Sequence, residues 1–515
     1  MDKVHTAQLD TLDVTLVVLY LLAVMALGLW MSWGVKSSKD FFLAGRSLPW
    51  WAVALSLVVS DIGAKDMVGL AGDSYRYGVV MMNFDFIGCG FAVLVAAFLF
   101  MPFFWMAGIY TIPEYLGRRY NIYVRTFFAI VWTCFMVATL GTIFVSAAVM
   151  FKVLLGWDFW LSVGVSAVMV GLYTTVGGLK AVVVTDAVSC VILMLGAVLI
   201  CAFGLEKVGG WSEMQATIQQ LEGTAHHFRL TPPADHPDFP WPAVFLGLGI
   251  VLGPAYWIGN QAIVQRSFGT RSENDARAAY VMCAAIKLLF PLLLVVPGLI
   301  ALALFQEKLV PAGTEGLHGN EVLPRLVVEL LPGGFLGLVV GAFLAGVLSN
   351  LDSYVNSAST LVVTDIYKPF VNPHATDRQC LVLGRVLVVV FVIGGVAASY
   401  PVYLYFRSVF EAFQTFLSLF QGPLLALLLL GMLSRRTTQW GGLAGMVTGV
   451  ATAFAVKYHR PLLGMDGDTS YLWAAWWSFV AAVTSTILVS LLTKPYDTER
   501  LRGLVCWIPI KEPPQ

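Results

Sequence analysis

The chain has 515 residues, of which 58% are hydrophobic and 12% are charged, a composition far outside that of water-soluble domains. Lysine plus arginine and aspartate plus glutamate number 31 each, so no charge excess points to nucleic acid or to an acidic partner. The seven cysteines lack CxxC spacing and all seven histidines lie in polar segments, which argues against zinc, haem or copper centres. These totals predict a polytopic membrane protein.

Apolar windows of about 20 residues, the length that crosses a bilayer, follow one another along the whole chain. The first is expected to be a retained helix, because the preceding MDKVHTAQLD lacks a cationic start and a cleavage site. The windows predict thirteen transmembrane helices, at residues 12–34, 48–70, 78–105, 123–153, 159–176, 181–206, 241–265, 275–305, 334–366, 380–400, 403–432, 439–457 and 470–493. The expected fold class is therefore an all-α polytopic membrane protein.

Lysine and arginine are concentrated in alternate loops, on the side that also holds the C-terminus. Arg118, Arg119, Arg266 and Arg435 are among these loop cations. The positive-inside rule then predicts an extracellular N-terminus and a cytoplasmic C-terminus in the cell membrane. No loop is long enough for a catalytic or nucleotide-binding domain.

The second window places Asp61, Lys65 and Asp66 in the middle of an apolar span beside Gly63 and Gly69. Glycines there indicate an interrupted helix, whose free carbonyls and helix ends can bind a cation and a solute. A purely structural interpretation is also open, because Asp61 and Lys65 are four residues apart and can neutralise one another.

Further polar residues lie in other spans. Asp85 follows in the next window, and Lys287 and Gln414 each lie inside a separate apolar run. Together they predict a polar pocket able to hydrogen-bond a hydroxyl-rich molecule, with Tyr256 and Trp257 as aromatic lids or stacking faces.

Residues 341–368 carry an unbroken series of small polar side chains through an apolar run. Ser349, Asp352, Ser353 and Asn356 recur at helical spacing, so they share one stripe and offer oxygen ligands to one point. Hard cations prefer such ligands. The alternative is a face of small residues that packs closely against a neighbouring helix.

With these features in place, the chain resembles the sodium:solute symporter family, and within it the sodium/glucose cotransporter branch. The segments that carry the resemblance occur in the family's order: FFLAGRSLPWW, TIPEYLGRRYN, YTTVGGLKAVVVTDAV, GNQAIVQRSF and NSASTLVVTDIYK. The resemblance implies a LeuT-like core of two five-helix halves related by an inverted repeat. The implied regions are an N-terminal segment with an extra helix (1–47), a first half (48–206), an extracellular loop (207–240), a second half (241–432), and two final helices with a cytoplasmic tail (433–515).

The resemblance also implies a principal sodium site. Its residues would be Val59, Ile62, Gly346, Ser349 and Asn350. Asn350 departs from the family, which usually has a second hydroxyl there, although its amide oxygen can still ligate. A second sodium site in some members would correspond to Ser349 together with Asp186, Asp352 and Ser353. Asp352 stands where a hydroxyl is usual, and its charge would tighten cation binding or make the site sensitive to protons.

For the solute, the implied contacts are Asp61, Asp66, Asp85, Tyr256, Trp257, Lys287 and Gln414. Three of these depart from sugar-transporting relatives: Asp61 replaces an amide, Asp66 a histidine or glutamine, and Asp85 a glutamate. The role of the adjacent Lys65 is open. A sugar or polyol is the expected class, and an amino sugar or another cationic solute could use the extra acids.

The expected function is sodium-coupled symport of a small polar solute by alternating access, with no catalytic step and no cofactor besides Na+ as coupling ion. One alternative is proton-coupled or sodium-independent transport, in which Lys65 supplies the positive charge. A sensor that binds solute without moving it and an intramembrane enzyme are further alternatives, disfavoured by the lack of a signalling domain and of a nucleophile–base or metal motif.

Overall fold

The computed structural model describes residues 10–33, 37–310, 316–458 and 470–508. Most of the expected extracellular N-terminus and the end of the expected cytoplasmic tail lie outside these ranges. The described residues form helices joined by turns and loops, the longest of them at residues 220–240, with only two isolated β-bridges, Leu48 to Thr270 and Leu309 to Leu317.

The N-terminal part of the chain contains eleven helices. They are α1 (Thr11–Ser32), α2 (Ser38–Leu43), α3 (Trp50–Asp61), α4 (Ala64–Tyr77), α5 (Asn83–Asp85), α6 (Phe91–Val95), α7 (Met101–Met106), α8 (Ile112–Arg119), α9 (Ile122–Leu155), α10 (Phe159–Lys207) and α11 (Trp211–Gln219). Wider π-helical turns at Phe86–Gly90 and Ala96–Phe100 join α5, α6 and α7 into one bent span.

The C-terminal part follows the loop after α11. Its helices are α12 (Trp241–Ala243), α13 (Gly253–Gly259), α14 (Gln261–Phe268), α15 (Glu273–Lys287), α16 (Phe290–Phe305), α17 (Val322–Leu330), α18 (Phe335–Leu361), α19 (Asp377–Tyr405), α20 (Val409–Ser418), α21 (Gln421–Leu433), α22 (Gln439–Tyr458) and α23 (Ser470–Leu492). Segments Val244–Leu252 and Val362–Val371 are π-helical and continue α12 and α18.

The expected break in the second window is present. Helix α3 ends at Asp61, Ile62 and Gly63 are extended, and α4 begins at Ala64. Gly63 allows a close approach, because a Cβ atom there would overlap the side-chain amide of Asn350 and that amide would have to move. The break leaves the last carbonyls of α3 without helical partners and available to other groups.

A second break lies between α13 and α14, where Asn260 is extended with φ −71° and ψ 114°. Its side chain caps α14 by accepting a hydrogen bond of 3.0 Å from the Ala262 backbone N–H. This break was not predicted from the sequence. Tyr256 and Trp257 lie four and three residues before Asn260, in the last turns of the continuous helical segment Trp241–Gly259.

By length and composition, nine helices in the described ranges can cross a membrane, or ten if the bent pair α20 and α21 is one span. All thirteen expected windows coincide with helical segments, but not with separate long helices. Residues 64–106 form one continuous helical segment, and halves such as Trp50–Asp61 and Phe159–Gly171 are short. Helix α10 covers two expected windows and bends between them at Gly178, whose φ is 60°.

Two buried charges connect distant helices. The Asp13 carboxylate on α1 accepts backbone hydrogen bonds from Gly334 at 2.8 Å and Gly337 at 2.6 Å, where it complements the N-terminus of α18. Arg119 on α8 donates to the carbonyls of Gly431 and Ser434, each at 2.8 Å. These contacts hold α1 against α18 and α8 against the end of α21.

Candidate solute and cation sites

A cavity of about 60 Å³ lies beside the break between α3 and α4. It is lined by residues from α3, α4, α5, α13, α15 and α20, which are far apart in the chain. All seven residues expected to contact the solute line it: Asp61, Asp66, Asp85, Tyr256, Trp257, Lys287 and Gln414. The space accommodates roughly four to six water molecules.

Lys287 connects two of the acids across this cavity. Its ammonium group forms ion pairs with the carboxylates of both Asp61 and Asp85. Asp61, Asp85 and Cys89 also offer ligand atoms within 4.8 Å of one another, the arrangement of a small metal site. The ammonium group already supplies a positive charge at that point.

Lys65 is buried and pairs with its neighbour in sequence. Its Nζ lies 2.6 Å from Asp66 Oδ2 and 3.3 Å from the backbone oxygen of Asp61. The suggested pairing of Lys65 with the Asp61 side chain is therefore wrong. Because the helix is interrupted between them, the two side chains lack the geometry of residues four apart on a continuous helix, and the Asp61 carboxylate turns to Lys287 instead.

Aromatic rings enclose the pocket on one side. Tyr256 makes an edge contact with Trp257 at 5.9 Å between ring centres and with Phe413 at 6.2 Å. The Lys65 ammonium lies 4.0 Å from the centre of the Phe413 ring, a cation–π contact. Phe413 was not predicted from the sequence, although its position next to Gln414 on α20 was a signal that it faces the same cavity.

Two residues of the cavity wall carry polar groups without a hydrogen-bond partner among the described residues. The Trp257 indole Nε1 is fully enclosed. Gln414 is 8% exposed and lines the cavity, and no hydrogen bond of its amide to the described chain is present. The Gln414 amide is therefore the group available to hydrogen-bond a bound molecule.

Four of the five residues implied for the principal sodium site, Val59, Ile62, Gly346 and Asn350, lie at the same helix break, whereas the Ser349 hydroxyl donates to Asp186. Asn350 on α18 donates a hydrogen bond of 2.8 Å from Nδ2 to the Val59 carbonyl, one of those freed at the end of α3. The other amide atom, Asn350 Oδ1, is buried and has no partner within the described ranges. Gly346 packs against the break, since a Cβ atom there would be 3.2 Å from the Ala64 backbone nitrogen.

The residues implied for the second cation site centre on Asp186 of α10. Its carboxylate accepts hydrogen bonds of 2.6 Å from Ser349 Oγ and 2.5 Å from Ser56 Oγ. Ser353 Oγ donates to the buried Asp352 at 3.1 Å and also contacts the Arg266 guanidinium. Ser349, Asp352 and Ser353 of the polar stripe thus belong to a hydrogen-bonded network, whereas both amide atoms of Asn356 are buried without a partner within the described ranges.

The sequence-based assignment of Arg266 to a cytoplasmic loop is wrong. It lies on α14, is fully buried, and its Nη2 is 3.2 Å from Asp186 Oδ2. Its Nε donates to Ser56 Oγ at 2.7 Å. Hydropathy alone placed this cation at a span end, because its partners are distant in sequence. The motif GNQAIVQRSF was the available signal that the segment has a special role.

Two interrupted helices beside a small polar cavity, enclosed by a helical bundle, define the class of secondary transporters. The model of the sodium:solute symporter family matches residues 41–449. The chain belongs to this family. It is a multi-pass membrane transporter and not an enzyme.

Relatives extend over nearly the whole chain. Sodium/glucose cotransporter 1 of Ovis aries is 32% identical over 542 residues, covering 96% of this chain and 80% of the relative. The sodium/myo-inositol cotransporter of Homo sapiens is 30% identical over 559 residues, covering 97% and 76%.

The solved structure of a substrate-bound, outward-open Na+-coupled sialic acid symporter matches with a TM-score of 0.82. The two chains are 22% identical, and the match covers 95% of this chain and 99% of that one. This likeness confirms the expected all-α, LeuT-like fold.

Proposed function

We propose that this protein imports a sugar or polyol together with sodium by alternating access. One observation carries the proposal: seven polar and aromatic residues from five expected spans converge on one cavity beside a broken helix. The glucose and myo-inositol cotransporters among its relatives support the solute class. In this proposal the lining residues bind the solute, and the rings of Tyr256 and Trp257 close one side of the pocket.

Sodium in this proposal is a cotransported substrate. Its ligands would be the Val59 and Ile62 carbonyls with Gly346, Ser349 and Asn350. The unpartnered oxygen of Asn350 fits this role, because a buried oxygen beside freed carbonyls suits a hard cation. An ion there would join the end of α3 to α18, and so link the helix that lines the pocket to the helix that forms the polar stripe.

Asp186, Asp352 and Ser353 are proposed as a second sodium site on the exit path. Arg266 shares this cluster and already pairs with Asp186. Ion occupancy therefore requires the guanidinium to shift away or to share the carboxylate. Arg266 is accordingly a positioning residue for the acids.

The proposed regions are those expected from the family: two inverted halves at 48–206 and 241–432, an outer loop at 207–240, and flanking helices. Each half contains one interrupted helix, at Ile62–Gly63 and at Asn260, which supports the division. The proposed orientation places the N-terminus outside and the C-terminus in the cytoplasm.

Sodium-independent transport is the second candidate, and one observation favours it. The Asn350 amide donates to the Val59 carbonyl, so the polar groups at the break are partly satisfied without an ion. The variant of this idea in which Lys65 replaces sodium has less support, because Lys65 pairs with Asp66 and not with the sodium ligands.

Uptake into proteoliposomes separates the two candidates. Labelled glucose and myo-inositol are offered under an inward sodium gradient, an inward potassium gradient, or a proton gradient alone. Accumulation that requires the sodium gradient supports the proposed function. Equal uptake in potassium medium overturns sodium coupling, and no uptake of either solute overturns the transport of neutral sugars and polyols.

A further inference from the structure

The charges around the solute cavity do not balance. The carboxyl and amino side chains are the acids Asp61, Asp66 and Asp85 and the bases Lys65 and Lys287, all partly or fully buried. Lys65 neutralises Asp66, whereas Lys287 is shared between two carboxylates. With all five groups ionised, the wall therefore carries one excess negative charge.

The excess negative charge is accessible from the solute cavity. The Asp61 side chain is 14% exposed, compared with 7% for Asp85, so it is the carboxylate with more access to the cavity. An uncompensated carboxylate inside a membrane protein is costly, and a cation that enters the cavity reduces this cost. The cavity thus favours a guest with one positive charge.

A neutral polar group adds a second requirement for the solute. Gln414 is 8% exposed, lines the same cavity and forms no hydrogen bond to the described chain. An amide group both donates and accepts hydrogen bonds, which matches the hydroxyl groups of a solute. A charged group and a hydroxyl-bearing neighbour are therefore recognised together.

Resting on the proposed function, we infer that the preferred solute is a polyhydroxylated amine such as an amino sugar, with its ammonium group placed against Asp61. Sodium or a proton could also supply the missing charge, and neither would favour an amine over a neutral sugar. Preference between matched solutes therefore tests the inference independently of coupling.

The experiment compares glucose, glucosamine and N-acetylglucosamine, which differ at one ring position, with the purified full-length protein in sodium medium. Equilibrium binding is measured by competition, and uptake is measured in proteoliposomes. Glucosamine is expected to bind at least about tenfold more tightly than either neutral sugar, equivalent to about 1.4 kcal/mol. Asp61→Asn should reduce that preference to about one, mainly by weakening glucosamine.

Two variants keep the result interpretable. Asp61→Glu retains the charge and should retain the preference. Asp73→Asn makes the same change on the wall of a different, larger cavity and should leave the preference unaltered. Thermal unfolding confirms that each variant is folded.

The outcomes are distinct. If glucose binds as tightly as glucosamine and is taken up with sodium, the inference is overturned while the proposed function stands. Glucose binding that strengthens to the level of glucosamine at lower pH identifies a proton as the missing charge, and also overturns it. Uptake of none of the three sugars counts against the proposed function itself.

Discussion

The ammonium nitrogen of Lys65 lies 2.6 Å from the carboxylate of Asp66, the next residue in the chain. Side chains of consecutive residues diverge on a regular helix, and they meet here because both belong to the first turn after the break at Gly63. Asp66 Oδ2 also accepts a hydrogen bond of 3.0 Å from the Gly63 backbone N–H. One carboxylate therefore holds both the lysine and the start of α4.

Replacing Lys65 should destabilise the protein, because it leaves Asp66 charged, buried and unpaired. We expect Lys65→Met to cost about 3–5 kcal/mol, and the double variant with Asp66→Asn to recover much of this loss. Thermal unfolding in detergent measures both. Lys65→Gly should not make uptake more dependent on sodium, since the wild-type lysine does not occupy the cation position; increased dependence would contradict the pairing.

Removing the Ser349 hydroxyl should weaken sodium binding. This group is a proposed ligand and donates at 2.6 Å to Asp186, so its loss also frees that carboxylate to shift. Ser349→Ala should raise the sodium concentration for half-maximal uptake about fivefold, equivalent to about 1 kcal/mol. Ser359→Ala, which changes a buried serine about three turns further along α18, is the control. Unchanged sodium dependence in the folded Ser349 variant would remove Ser349 from the site.

Gln414 and Lys287 should affect solute more than sodium, because both line the solute cavity. We expect Gln414→Ala to weaken solute binding about tenfold, since it leaves a hydroxyl of the solute unpaired. Lys287→Ala should weaken the binding of a neutral sugar such as glucose by a similar factor and also lower stability, because two carboxylates lose their partner. Gln421→Ala changes a buried glutamine away from the cavity and should leave affinity unaltered. Normal solute affinity in both cavity variants, measured by equilibrium dialysis, would place the pocket elsewhere.

A pH effect is expected from the loop that precedes α12. Burial lowers the pKa of His227 below its ordinary value of 6.5, and a 3.2 Å contact of its Nε2 with the Tyr75 carbonyl only partly opposes this. The unfolded chain therefore binds a proton more readily. The contribution to stability is complete above about pH 6.5 and declines as the pH falls below it.

The test of this effect is the midpoint of thermal unfolding between about pH 8 and about pH 5. The fall on acidification should be smaller in His227→Gln than in the wild type. His374→Gln changes an exposed histidine and should follow the wild-type curve. Identical pH profiles for all three proteins would exclude His227 as the source.

Arg119 and Arg118 provide a matched pair for stability. Arg119 is fully buried and donates to backbone carbonyls of Gly431, Ser434 and Thr437, whereas Arg118 is half exposed and pairs with Glu114 on its own helix. Arg119→Lys should cost about 2–4 kcal/mol, because an ammonium group cannot reproduce the planar arrangement of donors. Arg118→Lys should cost less than about 1 kcal/mol. Equal losses in unfolding measurements would show that the buried contacts contribute little.

The sequence predicted the membrane class and the helix break at Gly63, because both depend on local composition. It also predicted which residues share the solute cavity, because these follow from ordered motifs. The partner of Asp61 could not be predicted. The four-residue spacing favoured Lys65 as the partner. Because the helix break separates Asp61 from Lys65, the Asp61 carboxylate pairs instead with Lys287, more than two hundred residues away. Arg266 was misplaced for a related reason: hydropathy identifies a charge, and only the packed bundle shows that Asp186 neutralises it.

The close packing of Gly63 against Asn350 has an evolutionary consequence. A Cβ atom at position 63 would overlap the side-chain amide of Asn350, so the amide would have to move away from the Val59 carbonyl to which it donates. A substitution at position 63 is therefore better tolerated when residue 350 is smaller. Among homologues that carry a small hydroxyl at position 350, position 63 should tolerate alanine or serine, and the two positions should covary across the family.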